Sequence, residues 1–539
     1  MDPLDPAPAP AAGDRLEQAL AGLTPAQNEA VRSPAAALCI VAGAGSGKTR
    51  VLTLRLARRI RDGSADADHT VVCTFTRRAA EELRTRLARY GVTVSVPVGP
   101  GGVPSSGVRA GTLHQLALTL LRRHAADTSQ APPSLVEHRW RALDGLTDGR
   151  GAASVVDAEI GWAKARCLSP ETYVHAARTT GRQVALPLDR VAGTFADYQV
   201  RLVRRGQLDL DDVLLRAADL LLDDVAFAAQ AHWRYRHLAV DEFQDVNPAQ
   251  FRLVQALMGG RADLCAVGDP NQAIYGWNGA DPGLLSSLPD LVAGLEVVHL
   301  DVNHRCSPQV VAVATAALGP ADVAPPRSAA SGGPVPTLTA YDDDREEAEA
   351  VAASLLRRAE AGAAWSEQAV LARTHDQLAL IRRTLDRLGI PCRFAPAPDA
   401  DAESPAPTGP LVPATVSTVG RGEPGGGVEL ATFHRAKGLE WDAVHVIGLE
   451  TGLVPIVHAA DPRSLAEERR LLYVALTRAH RILECSWAKR RTMGGGRSME
   501  RRPSPWLDDL ATVTQTGDQR PEPQDASRRF AALRANLKG

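Results

Sequence analysis

Ala42-Gly43-Ala44-Gly45-Ser46-Gly47-Lys48-Thr49 follows directly on the apolar run Leu38-Cys39-Ile40-Val41. A short apolar run before a glycine-rich turn reads as a buried parallel strand, and the stretch after Lys48 reads as a helix. In such a strand–turn–helix the backbone N–H groups wrap a phosphate at the helix N-terminus. Gly43, Gly45, Ser46 and Gly47 are therefore the expected phosphate cradle. Lys48 is expected to reach the β- and γ-phosphates, and Thr49 to hold Mg²⁺. A second stretch completes the site: Asp241-Glu242-Phe243-Gln244-Asp245, directly after Leu238-Ala239-Val240. Asp241 at a strand end is expected to be the other metal anchor, and Glu242 to polarise an attacking water. The pair of stretches predicts an ATP-hydrolysing site that uses ATP and Mg²⁺.

Outward from these stretches, short apolar runs alternate with amphipathic ones, the pattern of parallel α/β sheets. Strands are expected at 37–41, 70–74, 237–241 and 263–267. A second α/β pattern is expected from about 295, with strands at 296–300, 335–340, 368–372, 428–432, 443–447 and 481–486. The fold class is α/β, with two P-loop-type domains. The first domain is expected at residues 14–98 and 206–290, interrupted by a mostly helical insertion at 99–205. The second is expected at 291–395 and 428–512. Residues 396–427, rich in Pro, Gly, Asp and Ser, read as a linker, and 1–13 and 513–539 as flexible tails.

The 539 residues carry a formal charge of −2, so any basic groove must be local. Clusters at Arg55–Arg61, Arg77–Arg89, Arg201–Arg205 and Lys489–Arg502 read most simply as solvated helix faces. The seven cysteines are scattered without a C-x-x-C pair, which argues against zinc or iron–sulfur centres. Cys39, Cys73 and Cys265 lie in apolar runs and are expected in the core. No segment approaches the ~18–20 apolar residues of a membrane span. The N-terminal MDPLDPAPAPAAGDR has no basic stretch before an apolar core, so a soluble, cytoplasmic chain is expected.

Further motifs stand in a fixed order between about residues 23 and 510. They are Leu23-Thr24-Pro25-Ala26-Gln27, Thr74-Phe75-Thr76-Arg77-Arg78-Ala79-Ala80, Ala110-Gly111-Thr112-Leu113-His114 and the run from Gly268 to Trp277. Asn303-His304-Arg305, the run from Thr432 to Glu440, and the run from Glu468 to Ala479 follow. Taken with the phosphate loop, this ordered set resembles the UvrD/Rep/PcrA group of superfamily 1 DNA helicases. The resemblance implies two RecA-like domains with ATP in the cleft between them. It implies that Gln27 hydrogen-bonds the adenine edge and that Arg50, His304 and Glu440 also contact nucleotide. Gln272 would sense the γ-phosphate, and Arg305 and Arg478 would act as arginine fingers from the second domain. Phe75, Thr112, His114, Tyr275, Trp277 and His434 would contact DNA, the aromatics by stacking on bases. The implied activity is 3′→5′ translocation on single-stranded DNA, with unwinding at single-strand/duplex junctions, by a monomer acting in repair or replication maintenance.

Three positions depart from the group's pattern. Asn278 stands where relatives commonly have Arg, and His304 where they commonly have a Tyr that stacks on adenine. The 396–427 segment stands where relatives carry a domain of well over 100 residues, and about 30 residues cannot build a core. A reduced form of that domain, called 2B, is therefore expected. This leaves a translocase that displaces proteins without net unwinding as an alternative. A catalytically silent DNA-binding scaffold is the other alternative, against which the intact Lys48, Asp241, Glu242, Gln272, Arg305 and Arg478 argue.

Overall fold

Leu38, Cys39 and Ile40 are almost wholly shielded from solvent on both faces of their strand, as a central parallel strand requires. The computed structural model describes residues 12–95, 106–136, 138–261, 263–319, 326–395, 426–492 and 498–516. The first sheet has six parallel strands: β1 (Ala37–Ala42), β2 (Thr70–Thr74), β3 (Arg109–Thr112), β4 (His237–Val240), β5 (Leu264–Gly268) and β6 (Glu296–Leu300). Their spatial order is β3-β2-β4-β5-β1-β6. The second sheet has seven, again all parallel: β7 (Thr337–Tyr341), β8 (Gln368–Ala372), β9 (Cys392–Phe394), β10 (Val428–Thr432), β11 (Trp441–Val446), β12 (Ala479–Ala488) and β13 (Gln515–Thr516). Their order is β9-β10-β8-β11-β12-β7-β13. The two-sheet α/β architecture expected from the sequence is present.

Three assignments change. The 296–300 strand does not open the second sheet; it pairs with β1 at the edge of the first. Its Val298 and Leu300 face the first domain's core while Glu296, Val297 and His299 face out. That alternation marks an edge strand but says nothing of which sheet it joins. The span expected as a helical insertion at 99–205 is shorter at its start. Within it, β3 pairs with β2, and Leu113, Leu116 and Leu120 of the following helix lie in the first domain's core. A separate helical core runs from Ala142 to Leu202. Gln515–Thr516, expected in the C-terminal tail, adds an edge strand beside β7. The 396–427 linker falls outside the described residues except for its last two, as do residues 1–11 and 517–539 of the expected tails. Residues 12–21 form a helix whose Leu16 and Leu20 are buried.

Arg55 also departs from the solvated-face reading. It is buried and donates to the carbonyls of Ala30, Ser33 and Ala35, so it ties two helices together. Cys39, Cys73 and Cys265 are buried as expected. No helix among the described residues is long and apolar enough to cross a membrane.

The helical insertion is anchored by buried charge. Lys164 lies 2.7 Å from Asp209 Oδ2 and 2.8 Å from Asp212 Oδ1. Arg139 pairs with Asp157, Asp209 and Asp211, and the Tyr198 hydroxyl donates to Asp209. Burial alone would push the Asp209 carboxyl up, but Lys164 and Arg139 hold it well below the usual carboxylate range. Lys164→Ala leaves two buried carboxylates short of a cation, which costs about 3–5 kcal/mol. We expect the first urea transition to move to lower denaturant, with protease cleavage appearing between residues 128 and 206. The insertion also packs on the turn after β5: a side chain at Gly279, where φ is +93°, would meet Ala165 Cβ at 2.6 Å.

Candidate active site

The expected site residues converge at the carboxyl ends of the first sheet's strands. Gly45 (φ +68°) and Gly47 (φ +83°) adopt left-handed backbone that favours glycine. Gly47 caps the Lys48–Arg61 helix with no side-chain hydrogen bond, so the first helical N–H groups stay free for an anion. Ser46 donates to Gly43 O at 2.8 Å and closes the loop. Lys48 Nζ stands 3.6 Å from Asp269 Oδ2 and 3.4 Å from Ala42 O.

Thr49 Oγ1 donates to Asp241 Oδ2 at 3.1 Å, which brings together the two expected metal ligands. Both are hard oxygens beside the phosphate cradle, as Mg²⁺ requires. A side chain at Gly45 would meet Asn303 Oδ1 at 2.5 Å, and one at Gly47 would meet Gln27 Nε2 at 3.1 Å. The donor set and the cradle therefore fit a magnesium nucleotide. Glu242 sits at φ +54°, an uncommon conformation for a non-glycine residue, and accepts a hydrogen bond from Gln244. Burial pushes its carboxyl up, but Lys48 and Lys437 outweigh this and hold it below its ordinary value.

Burial, aided by Glu242, pushes the Asp241 carboxyl up to about 7. The folded chain thus keeps a proton that the unfolded chain loses near pH 4. Its stability without nucleotide falls as pH rises toward 7, by at most about 1.4 kcal/mol per pH unit from this group. Asp241→Asn removes that contribution. Melting temperatures of the two proteins from pH 5 to pH 8 are expected to diverge in the variant's favour as pH rises.

The opposite wall comes from the second domain and the strand connection leading to it. Ala44 of the phosphate loop and Ile274 lie in the same buried cluster as Phe433, Leu471 and Val474. Arg305 Nη2 is 2.5 Å from Glu440 Oε2, and His480 is 3.7 Å from Glu440 Oε1. The nearby His480 and Arg305 hold the Glu440 carboxyl down to about 2. Arg478 is buried and donates to Val474 O at 2.8 Å and Leu439 O at 3.1 Å. Burial, reinforced by Arg305, brings its pKa down to about 10, which leaves it cationic at neutral pH. Gln272 donates to Asp269 Oδ2 at 2.6 Å, so it reaches the carboxylate that also faces Lys48.

Lys437 was not singled out from the sequence. Its Nζ donates to Asp245 Oδ2 at 2.5 Å and to Gln272 O at 2.7 Å, bridging the two domains. Asp269 and Asn303 were also missed. Asn303 Oδ1 accepts from the Arg305 and Cys306 amides and shapes the loop against Gly45. All three lie inside the quoted motifs, but Lys437 meets Asp245, Asp269 meets Lys48 and Asn303 packs against Gly45 across long stretches of chain, where no spacing rule reaches.

The remaining candidates fall into two groups. Gln27 Nε2 donates to Ser46 O at 2.9 Å, and Arg50 Nη2 donates to Ala19 O at 3.2 Å. The His304 amide donates to Gly45 O at 2.8 Å while its ring is exposed. These three flank the phosphate loop. On the other side Phe75 and Tyr275 stack at 5.3 Å, and Trp277 meets Tyr275 edge-on at 6.4 Å. Lys437 Nζ sits 4.9 Å from the Tyr275 ring centre. Phe75, Thr112 and His114 line a cleft that Asp241 and Glu242 also line. His434 stands apart from this cleft; burial beside Arg373 and Lys437 pushes its pKa down to about 3, so it is neutral.

Residues 23–292 match the family model of the UvrD/REP helicase N-terminal domain, and residues 421–490 that of the UvrD-like helicase C-terminal domain. The chain is 34% identical to ATP-dependent DNA helicase UvrD2 of Mycobacterium bovis over 607 aligned positions, covering 96% of this chain and 85% of that protein. The same figures hold for UvrD2 of Mycobacterium tuberculosis. ATP-dependent DNA helicase PcrA of Staphylococcus epidermidis is 27% identical over 379 positions, covering 68% of this chain and 50% of that protein.

Proposed function

The chain belongs to the UvrD/REP helicase family, and from that premise we propose that it hydrolyses ATP to move 3′→5′ along single-stranded DNA and to open junctions. The observation that carries the reading is the run after β5. Within it Asp269 faces Lys48, Gln272 donates to Asp269, and Tyr275 stacks on Phe75. One short segment therefore touches both the phosphate side and the aromatic side.

In this reading Gly43, Gly45, Ser46 and Gly47 hold the phosphates, and Lys48 neutralises the β/γ oxygens. Thr49 and Asp241 would hold Mg²⁺, which when bound supplies further positive charge to the phosphates. Glu242 orients and deprotonates the attacking water, Gln272 senses the γ-phosphate, and Arg305 and Arg478 stabilise charge on the transferring group. Gln27, Arg50, His304 and Glu440 bind the base and sugar end. Phe75, Thr112, His114, Tyr275, Trp277 and His434 hold the DNA strand. Because the arginines and the cradle come from opposite domains, hydrolysis favours the closed cleft and product release the open one. Repeated closing, with alternating grip on the strand, yields stepping. We place this activity in the cytoplasm, in repair or replication maintenance, carried out by a monomer.

A second reading has its own support. The alignment to UvrD2 spans 607 positions against a chain of 539 residues, so that relative carries segments this chain lacks. A motor with a reduced 2B segment suits stripping of proteins from single strands with little net unwinding. ATPase with and without single-stranded DNA tests the shared premise. Unwinding of a 3′-tailed duplex, set beside displacement of streptavidin from a biotinylated strand, separates the two readings. ATPase that ignores DNA would sink both.

A further inference from the structure

The Pro462–Leu476 helix of the second domain grips the aromatic turn of the first. Glu467 Oε1 accepts the Gly276 amide at 3.1 Å. One turn further along, Arg470 Nε donates to Ala273 O at 2.8 Å. The absence of a side chain at Gly276 lets the Glu467 carboxylate approach the turn this closely. Further along the helix the buried Tyr473 lies in the same core cluster as Ala44 of the phosphate loop. Arg478 follows just past the helix end.

We propose that Glu467 is a positioning residue that carries the state of the Tyr275–Trp277 turn to the phosphate loop and Arg478. The proposal rests on the DNA-driven ATPase reading above and assigns the mechanical link within it. A strand seated on Tyr275 and Trp277 would fix that turn. The turn would then hold Glu467 by a charge-assisted hydrogen bond, and the helix would hold Tyr473 and Arg478 at the nucleotide. A charge-assisted bond to the Gly276 amide, with Arg470 holding Ala273 O one helical turn away, ties helix and turn at two points. An intact helix transmits displacement along its axis rather than absorbing it.

The test compares wild type, Glu467→Ala and Glu467→Gln in steady-state ATPase, titrated with oligo(dT). Hydrogen exchange at the Gly276 and Trp277 amides is measured in parallel. The expected result is about a tenfold smaller stimulation ratio in Glu467→Ala, the size of a lost charge-assisted bond. Glu467→Gln, which keeps the amide-accepting oxygen, is expected to regain most of the ratio. Exchange at the Gly276 amide should rise in the Ala variant alone, with the Trp277 amide as an internal reference. A Glu467→Ala enzyme that exchanges faster yet keeps the wild-type ratio would overturn the link, leaving a bond that only holds the turn. A Glu467→Gln enzyme as impaired as Glu467→Ala would overturn it too. A wild-type ATPase indifferent to oligo(dT) is a different failure: it overturns the parent reading and the link with it.

Discussion

Lys48→Ala lowers kcat for ATP by about 10³-fold, the loss expected when a preorganised cation is removed from a developing phosphoryl charge. The side chain is already aimed: its Nζ is held between Ala42 O at 3.4 Å and Asp269 Oδ2 at 3.6 Å, at the mouth of the cradle. Neither contact is short, so little is given up when the ammonium turns to a phosphate. Removing it leaves Asp269, Asp241 and Glu242 facing the polyphosphate with one cation fewer. ATP binding should weaken as well, and a fluorescent ATP analogue titrated against wild type and variant reads that term separately. A variant that keeps even a tenth of wild-type kcat would mean that another cation, Lys437 foremost, supplies the charge.

Arg478→Ala is expected to cost a similar factor, about 10³, almost entirely in kcat. Arg478 is buried, stays cationic with a pKa of about 10, and is clamped by the carbonyls of Val474 and Leu439. A guanidinium held that firmly in a dry wall is preorganised for charge that appears only in the transition state, so KM should move less than about threefold. Arg478→Lys should not rescue, because an ammonium cannot satisfy two carbonyls in that fork and reach the phosphoryl group as well. Arg305→Ala should cost less, since Arg305 is half-exposed and tied to Glu440 at 2.5 Å. Single-turnover hydrolysis for the three variants would rank them. An Arg305→Ala defect larger than that of Arg478→Ala would reverse the assignment.

Much of this was readable from the chain. A buried strand ending in a glycine-rich turn can form only a few structures, and β1 and the Lys48–Arg61 helix have the expected form. The strands with continuous apolar runs, such as Val428–Thr432 and Gln368–Ala372, were equally legible because parallel strands are covered on both faces. The 296–300 strand was assigned to the wrong sheet because alternation reports which face is buried and not which neighbour pairs. The Arg109–Thr112 strand was too short and too polar to stand out from its glycine-rich surroundings. The site's acids and bases were named from local motifs. The cross-domain contacts Lys437–Asp245 and Glu467–Gly276 join residues about 190 positions apart in the chain, a distance at which composition and period carry no signal.

The Pro462–Leu476 helix bears on which changes this chain can accumulate. Glu467 and Arg470 are three residues apart and both bond to the first domain, and three residues at about 100° each lie some 60° from a full turn. Both therefore point toward the first domain at once. Exchanging a side chain between them alters one contact, whereas inserting or deleting one residue turns one end by about 100° relative to the other. The segment is a phase-locked spacer: over long divergence its letters can drift while its length stays invariant.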